Sequence, residues 1–309
     1  MKLLLTGAFR YTDEQIEYLK SLGHEITYIQ DERVPIEFDV SDIEGTVCNG
    51  LFLYTPIEKF TNLRYIQLTS AGFDRVPMDY IKEHNIELHN AKGVYSIPMA
   101  EFAICGVLEL YKQSKFFFDN QKAHRWEKHR GLLELAGKEI CIIGAGNIGT
   151  EVAKRFKAFD TEVIGIDLYP SDNEYFDAVL PLDNLDNELP KADVVILTLP
   201  LTDNNAGFFD KSKFDLMKQS AIFVNIARGK LVNERDLIVA LETNQIAGAV
   251  LDVFDEEPLS TNSKLWDMEN VILTPHNSFV GENNLARLFS IICKNLGCYN
   301  ESKLARQDI

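Results

Sequence analysis

The amino-acid sequence predicts an α/β protein of two domains, each built on a parallel sheet with helices on both faces. Two observations predict this fold class. Short apolar runs alternate with amphipathic helical patterns along the chain, and continuous apolar strands are typical of parallel sheets that are buried on both sides. The length of 309 residues also exceeds what one compact core usually holds, which favours two domains.

The predicted strands fall into two sets, separated by a long helical pattern. The first set is 2–5, 25–29, 65–68 and 86–89, and the second is 139–144, 162–167, 193–199, 221–226, 247–252 and 271–275. The separating helix is expected to begin near "SIPMAEF", with Pro98 in its first turn, and to run to about Asn120. Thr12 and Gln15 have the spacing of a capping box at the start of the first helix.

The order of these patterns predicts how the two domains share the chain. A final helical pattern follows "GENN" at 281–284 and is expected to return to the first domain. We therefore expect one domain from 1–100 together with 277–309, and a second domain from 101–276.

Composition excludes several partners. Lys and Arg number 31 and Asp and Glu 47, so the net charge is −16. This charge repels nucleic acid and anionic membrane surfaces, and an anionic substrate would need a local cation.

The N-terminal apolar run is too short for a signal peptide, and no apolar span of 18 residues occurs. Together with five cysteines that form no CxxC pair, this predicts a cytoplasmic protein with reduced thiols, of which Cys105 and Cys141 are expected to be buried.

A dinucleotide-binding pattern begins the second set of strands. "CIIGAGNIG" puts Gly144, Gly146 and Gly149 in G-x-G-x-x-G spacing between an apolar strand and a helix. In such a turn the first glycine permits the tight bend, the second lets a pyrophosphate approach, and the third lets helix and strand pack closely. The helix is predicted to place Ile148, Val152, Phe156 and Phe159 on one face.

An acid in register with this loop indicates which cofactor is bound. Asp167 ends the next predicted strand, where a carboxylate can hold the ribose hydroxyls of NAD. Residues 168–173 include no Arg or Lys for a 2′-phosphate, so NAD (as NADH in reduction) is favoured over NADP. The alternative is a purely structural turn with an incidental acid.

Polar residues follow the later strands. Arg228 lies in "NIARG", four acids lie in "LDVFDEEPL" (251–259), and His276 lies in "TPHNSF". Ligands of open parallel sheets bind beyond the carboxyl ends of the strands, so these turns face a cofactor site. The other histidines have no metal-ligand spacing, no metal is expected, and we interpret them as structural: His24, His84, His89, His124 and His129.

In these motifs the sequence resembles the D-isomer-specific 2-hydroxyacid dehydrogenase family. "GAGNIG", Asp167, "NIARG", "LDVFDEEPL" and "TPHNSF" occur in the family's order, and the likeness extends back to "TSAGFD" (69–74) and "KGVYSIPMAEF" (92–102). The resemblance implies a flavodoxin-like substrate domain, a Rossmann dinucleotide-binding domain and a homodimer. It implies an NAD-dependent oxidoreductase that interconverts a D-2-hydroxy acid and a 2-oxo acid.

The resemblance also implies which residues act. Arg228 would bind the substrate carboxylate, His276 would exchange a proton with the substrate oxygen, and Glu257 would hold the histidine ring and favour its charged form. Asp252 would support the cofactor side, whereas the remaining two acids of "LDVFDEEPL", Asp255 and Glu256, are interpreted as a solvated turn.

Binding residues follow in the same way. For the substrate, the residues expected from the resemblance are Ala71, Gly72, Tyr95 and Arg228. For the cofactor they are Gly144, Gly146, Asn147, Ile148, Gly149, Asp167, Leu199, Pro200, Ala227, Asp252 and His276.

The substrate is the least determined feature. Relatives that use 3-phosphoglycerate should offer cations after the third strand, yet "CNGLFLYTP" (48–56) has none, so we expect an unphosphorylated small-molecule acid with a small or medium side chain. Three alternatives remain. They are a phosphoglycerate-type dehydrogenase, a non-catalytic NAD(H)-sensing scaffold, and a formate or phosphite dehydrogenase. Glu257 and Ala71 argue against the formate and phosphite enzymes respectively.

Overall fold

The chain forms two compact units. The structure, a computed structural model, describes the backbone of residues 1–202 and 204–307. Side chains are described for residues 1–202 and 204–297. One unit comprises Met1–Tyr95 with Gly281–Ile309, and the other comprises Ser96–Val280. The second unit begins at Ser96 rather than at the expected residue 101 because the helix that starts there belongs wholly to it.

A parallel sheet forms the centre of the first unit. Its strands are β1 Lys2–Thr6, β2 Glu25–Ile29, β3 Gly45–Cys48, β4 Tyr65–Leu68 and β5 Glu87–His89. Within the described residues their order is β2-β1-β3-β4-β5, and every neighbouring pair is parallel. Leu4 packs in one apolar cluster, whereas Leu3 and Leu5 pack in another. Because alternate residues of a strand point to opposite faces, the sheet is buried on both sides.

In the described part of the first unit, three α-helices cover this sheet. They are α1 Asp13–Ser21, α2 Met78–Glu83 and α9 Asn284–Gln307. The Thr12 side chain accepts from the backbone N–H of Gln15 and the Gln15 side chain accepts from that of Thr12, which confirms the capping box. Leu288, Ile292 and Leu296 of α9 join the cluster around Leu3, so the C-terminal helix returns to the first unit, as the sequence indicates.

The second unit contains the longer parallel sheet. Its strands are β6 Glu139–Ile143, β7 Glu162–Asp167, β8 Ala178–Pro181, β9 Val194–Leu197, β10 Ile222–Asn225, β11 Gly248–Leu251 and β12 Val271–Leu273. In the described part of the chain they are ordered β12-β11-β10-β9-β6-β7-β8. The helices are α3 Ser96–Tyr111, α4 Ser114–Lys122, α5 Asn147–Lys157, α6 Leu185–Glu188, α7 Lys211–Leu216 and α8 Glu234–Glu242. The predicted α/β class with two parallel sheets is therefore confirmed.

Several sequence-based expectations were wrong in detail. The long helix expected to reach Asn120 is two helices, because Gln113 between α3 and α4 adopts a left-handed conformation with φ of 53°. Phe159 lies beyond the end of α5 and is exposed, so it does not share that helix's buried face. Cys105 is exposed, whereas Cys141 is buried as expected. The strand ranges predicted from the sequence also did not include β3 and β8, although residues 48–56 were expected to follow a strand.

The thiols of the described side chains are all free: Cys48, Cys105, Cys141 and Cys293. Burial raises the pKa of the Cys141 thiol to about 12, so this cysteine stays protonated and unreactive. The described helices include none that is both long enough and apolar enough to cross a membrane. Among the described residues there is also no group of three or more His, Cys, Asp or Glu that could hold a metal ion.

Candidate active site

The glycine loop has a shape that other residues would not allow. Gly144 has φ of +107°, and a Cβ there would lie 2.9 Å from Thr198 Oγ1. A Cβ on Gly149 would lie 2.0 Å from the Gly144 carbonyl oxygen, so α5 could not start so close to the strand. A Cβ on Gly146 would meet no atom within 4 Å. Open space therefore remains at the N-terminus of α5, where a pyrophosphate can approach the backbone and the positive end of the helix dipole.

Asp167 and Thr198 hold this loop from the neighbouring strands. Asp167, at the end of β7, accepts hydrogen bonds from the backbone N–H groups of Ala145 at 2.8 Å and Tyr169 at 2.9 Å. Thr198 follows β9 and donates to the Gly144 carbonyl at 2.6 Å, directly before the expected cofactor residues Leu199 and Pro200. The sequence identified Asp167 but not Thr198, whose hydroxyl is recognisable only once β9 is known to lie beside β6. These residues fit a dinucleotide: the loop and helix N-terminus would hold its phosphates, and Asp167 its ribose hydroxyls.

The turn after β10 orients Arg228. The Asn225 side chain accepts from the Ala227 N–H at 3.1 Å and donates to the Arg228 carbonyl at 3.0 Å, which closes the turn on itself. A Cβ on Gly229 would lie 1.9 Å from the carbonyl carbon of Phe254. Glycine is therefore required where the "NIARG" turn meets the "LDVFDEEPL" segment, and this close approach places the two motifs side by side.

His276 and Glu257 form a hydrogen-bonded pair in the site. His276 Nδ1 lies 2.8 Å from Glu257 Oε2, and the other carboxylate oxygen accepts from the Phe254 N–H at 3.1 Å. The two side chains are 41% and 37% exposed, so ligands can reach the ring. With Nδ1 bonded to the carboxylate, Nε2 is the nitrogen left to exchange a proton with a substrate.

Asp252 fixes the segment that carries His276. Its side chain is fully buried and accepts three hydrogen bonds, from Thr274 Oγ1 at 2.7 Å, the Asn277 N–H at 2.7 Å and the Ser278 N–H at 2.9 Å. Its carbonyl oxygen also accepts from the His276 N–H at 2.8 Å, and His276 itself has φ of +50°. Donors on both sides of the histidine thus converge on one buried carboxylate, which holds an unfavourable backbone conformation.

The other acids of this segment have no such contacts. Asp255 and Glu256 are exposed, and their carboxylates make no hydrogen bond or ion pair with any residue that the structure describes. β10, β11 and β12 are adjacent in the sheet. Arg228, Asp252, Glu257 and His276 therefore all lie in turns at the carboxyl edge of neighbouring strands, as the sequence predicts.

The expected substrate residues of the first unit lie at the edge of its own sheet. Ala71 and Gly72 follow β4, and their backbone N–H groups donate to no described residue. Their carbonyls are tied down by Asn90 Nδ2 at 2.6 Å and Ser70 Oγ at 3.1 Å respectively. Burial raises the pKa of Tyr95, so its hydroxyl stays neutral and donates to the Thr69 carbonyl. Tyr95 thus supports the start of the loop that carries the N–H groups of Ala71 and Gly72.

Comparison with known proteins defines the class. Residues 104–278 match the family model described as "D-isomer specific 2-hydroxyacid dehydrogenase, NAD binding domain". The chain is 31% identical over 241 residues to glyoxylate reductase of Thermofilum pendens, which covers 76% of this chain and 71% of that protein. It is 33% identical over 280 residues to D-3-phosphoglycerate dehydrogenase of Archaeoglobus fulgidus, covering 89% of this chain but only 53% of that longer protein.

Comparison with solved structures gives the same class of protein. A D-isomer specific 2-hydroxyacid dehydrogenase family protein from Aeromonas salmonicida superposes with a TM-score of 0.79 and 27% identity, covering 97% and 96% of the two chains. A relative from Xanthobacter autotrophicus, solved in complex with NADPH, has a TM-score of 0.75 and 25% identity over 93% and 91% of the chains. The chain belongs to the D-isomer specific 2-hydroxyacid dehydrogenase family. It is an oxidoreductase of that class with an NAD-binding domain, and the predicted family reaction between a 2-hydroxy acid and a 2-oxo acid is confirmed.

Proposed function

We propose that this enzyme reduces an unphosphorylated 2-oxo acid with a small or medium side chain to the D-2-hydroxy acid, with NADH in preference to NADPH. The observation that carries this proposal is the 2.8 Å contact between His276 and Glu257, on a segment anchored by Asp252. The polar groups at this edge of the sheet match what the reaction requires, namely a proton donor, a carboxylate partner for that donor and a cation for the substrate.

Each step has a residue of this chain. Arg228 would bind the substrate carboxylate and polarise the 2-oxo group, and in the first unit the N–H groups of Ala71 and Gly72 would bind a carboxylate oxygen. His276 Nε2 would donate its proton to the carbonyl oxygen, while Glu257 stabilises the charged ring before transfer and keeps it oriented afterwards. Bound NADH supplies the hydride for the carbonyl carbon. In the oxidative direction the neutral ring takes the proton back.

Asp167 supports the preference for NADH. Its carboxylate is fixed by two backbone N–H groups beside the glycine loop, and it would repel the 2′-phosphate of NADPH. No Arg or Lys occurs between 168 and 173 to offset this repulsion.

A substrate panel tests the proposal. NADH and NADPH oxidation would be followed with pyruvate, glyoxylate, hydroxypyruvate, 2-oxoisocaproate and 3-phosphohydroxypyruvate, and the configuration of each chiral product determined. We expect turnover of at least one unphosphorylated acid, D products and a higher kcat/KM with NADH. A higher kcat/KM for 3-phosphohydroxypyruvate would instead support the phosphoglycerate-type alternative. Tight NADH binding without turnover of any acid would support the non-catalytic scaffold.

We further propose that the enzyme is a cytoplasmic homodimer that associates through α4 and the segment after it. Large apolar side chains are exposed there, namely Phe117, Phe118, Trp126, Leu132 and Leu133, with Trp126 98% exposed. Clustered apolar exposure of this kind marks interaction surfaces. Light scattering should give twice the monomer mass, and Trp126→Asp should give monomers. The matched change at the exposed Trp266 of the same unit, Trp266→Asp, should leave the dimer intact.

A further inference from the structure

Glu32 is a buried acid at the carboxyl edge of the first unit's sheet. It is only 7% exposed. Its carboxylate accepts from Thr6 Oγ1 at 2.6 Å, from the Asn49 N–H at 3.0 and 3.2 Å, and from the Gly50 N–H at 2.5 Å. Among the described residues no Lys, Arg or His forms an ion pair with it. A hydroxyl and two backbone N–H groups therefore surround a carboxylate that no cation neutralises.

The position of Glu32 in the sheet is the one where ligands usually bind. The chain runs from β1 to β2 on one side and then to β3 on the other side of β1. The gap between β1 and β3 is thus the topological switch point of this parallel sheet, and such gaps are the usual ligand crevices. Thr6 ends β1, and Asn49 and Gly50 follow β3. Glu32 fills this crevice with the protein's own anion.

The donors that Glu32 uses are those that an external anion would need. Successive backbone N–H groups and a hydroxyl bind carboxylate and phosphate oxygens well. Here they are already bonded, and a second anion would face both the loss of these donors and the repulsion of a nearby like charge.

The neighbouring strand end offers the opposite arrangement. β3 pairs with β4, and the Thr69 N–H donates to the Cys48 carbonyl at 2.8 Å, which holds the two strand ends together. After β4 the N–H groups of Ala71 and Gly72 are open, whereas after β3 those of Asn49 and Gly50 are bonded to Glu32. A substrate whose carboxylate is bound by the open pair would therefore have its side chain close to the filled crevice.

We propose that Glu32 is a specificity-determining residue that excludes 2-oxo acids carrying a second anionic group at the far end of the side chain. The inference rests on the proposed function, because it uses the proposed carboxylate clamp at Ala71 and Gly72. The proposed function argues against a phosphorylated substrate because the loop after β3 lacks cations. The present proposal adds that the anion of Glu32 in the crevice repels such a substrate. Arg75 lies near this loop, since its Cδ lies 4.0 Å from where a Cβ of Gly50 would be, but among the described contacts it forms no ion pair with Glu32.

The test compares hydroxypyruvate with 3-phosphohydroxypyruvate, which differ in the terminal phosphate. In the unaltered enzyme we expect the kcat/KM for the phosphorylated acid to be lower than that for hydroxypyruvate by about tenfold or more. The reason is the repulsion between two like charges near a protein surface. Glu32→Gln removes the charge and should raise the ratio of phosphorylated to unphosphorylated kcat/KM by about tenfold. Glu37→Gln, at an exposed acid of the same loop, changes the net charge equally and should leave the ratio unchanged.

Glu32→Asp separates charge from packing. It keeps the anion while loosening the contacts, so the ratio should remain near that of the unaltered enzyme. An equal rise in Glu32→Asp and Glu32→Gln, or no rise in a folded Glu32→Gln, would overturn the proposal. Should Glu32→Gln not fold, the unaltered enzyme still decides, because a preference for the phosphorylated acid contradicts it. Failure of the proposed function looks different: a preference for the phosphorylated acid, or no turnover of either acid, contradicts both, whereas a preference for hydroxypyruvate with no rise in a folded Glu32→Gln contradicts the Glu32 proposal alone.

Discussion

Asp252→Asn is the substitution whose effect follows most directly from the contacts in the site. An asparagine has the shape of the aspartate but only one oxygen, and the buried carboxylate accepts from Thr274, Asn277 and Ser278. In the better amide orientation the donors from Thr274 and Asn277 keep an oxygen acceptor. The third donor, the Ser278 N–H, then faces the NH2 group of the asparagine. At least one charge-assisted hydrogen bond is lost and one buried donor is left unsatisfied, which together cost about 2–4 kcal/mol of unfolding free energy.

For a unit of this size such a loss lowers the midpoint of thermal unfolding by about 4–16 °C. Calorimetry on the intact enzyme would measure the shift, with Asp255→Asn as the control. Asp255 is exposed and its carboxylate has no described partner, so its substitution should change the unfolding free energy by less than about 0.5 kcal/mol. We also expect kcat to fall in Asp252→Asn, because the three lost or weakened contacts hold the segment around the active-site histidine. Equal melting temperatures for the two variants would refute this reasoning.

Two further predictions concern the acid beside the histidine and the glycine loop. Glu257→Gln should lower kcat for reduction by about tenfold or more, because an amide supports the ring that donates the proton to substrate less well than a carboxylate. Glu256→Gln should match the kcat of the unaltered enzyme, and equal effects of the two substitutions would contradict the assignment. Gly149→Ala should weaken NADH binding, measured by fluorescence titration, by about tenfold or more, since its Cβ would lie 2.0 Å from the Gly144 carbonyl oxygen. Gly297→Ala in α9, where a Cβ meets nothing within 4 Å, is the control and should bind NADH normally.

Local sequence patterns were sufficient to predict a feature when all of its residues lie in one continuous segment. The glycine loop is contiguous, and its strand, turn and helix are recognisable by composition alone. The pairing of His276 with Glu257 joins two segments, and it came from the resemblance to a family rather than from periodicity. The geometry adds the reason why the histidine is held: donors from either side of it meet at Asp252.

Features that depend on residues far apart in the sequence could not be predicted from the sequence alone. Glu32 stands in "QDERVP", which reads as an exposed charged loop, yet it is buried by contacts with Thr6 and Gly50 from two strand ends. Strand β3, "GTVC", is too short and too small in its side chains to stand out, although it lies in the middle of its sheet. The break at Gln113 contains no glycine or proline, so no local sequence signal predicts the left-handed residue between α3 and α4.

The central claim is that His276 is the proton donor of a 2-oxo acid reductase. Single-turnover reduction of the best 2-oxo acid of the panel by enzyme-bound NADH, compared between the unaltered enzyme and His276→Ala, tests it most directly. His84→Ala, at an exposed histidine of the first unit, serves as the control. We predict that His276→Ala still binds NADH and that its rate of NADH oxidation falls by about 10²–10⁴-fold, the usual contribution of a general acid. A rate within a few-fold of that of His84→Ala would contradict the account.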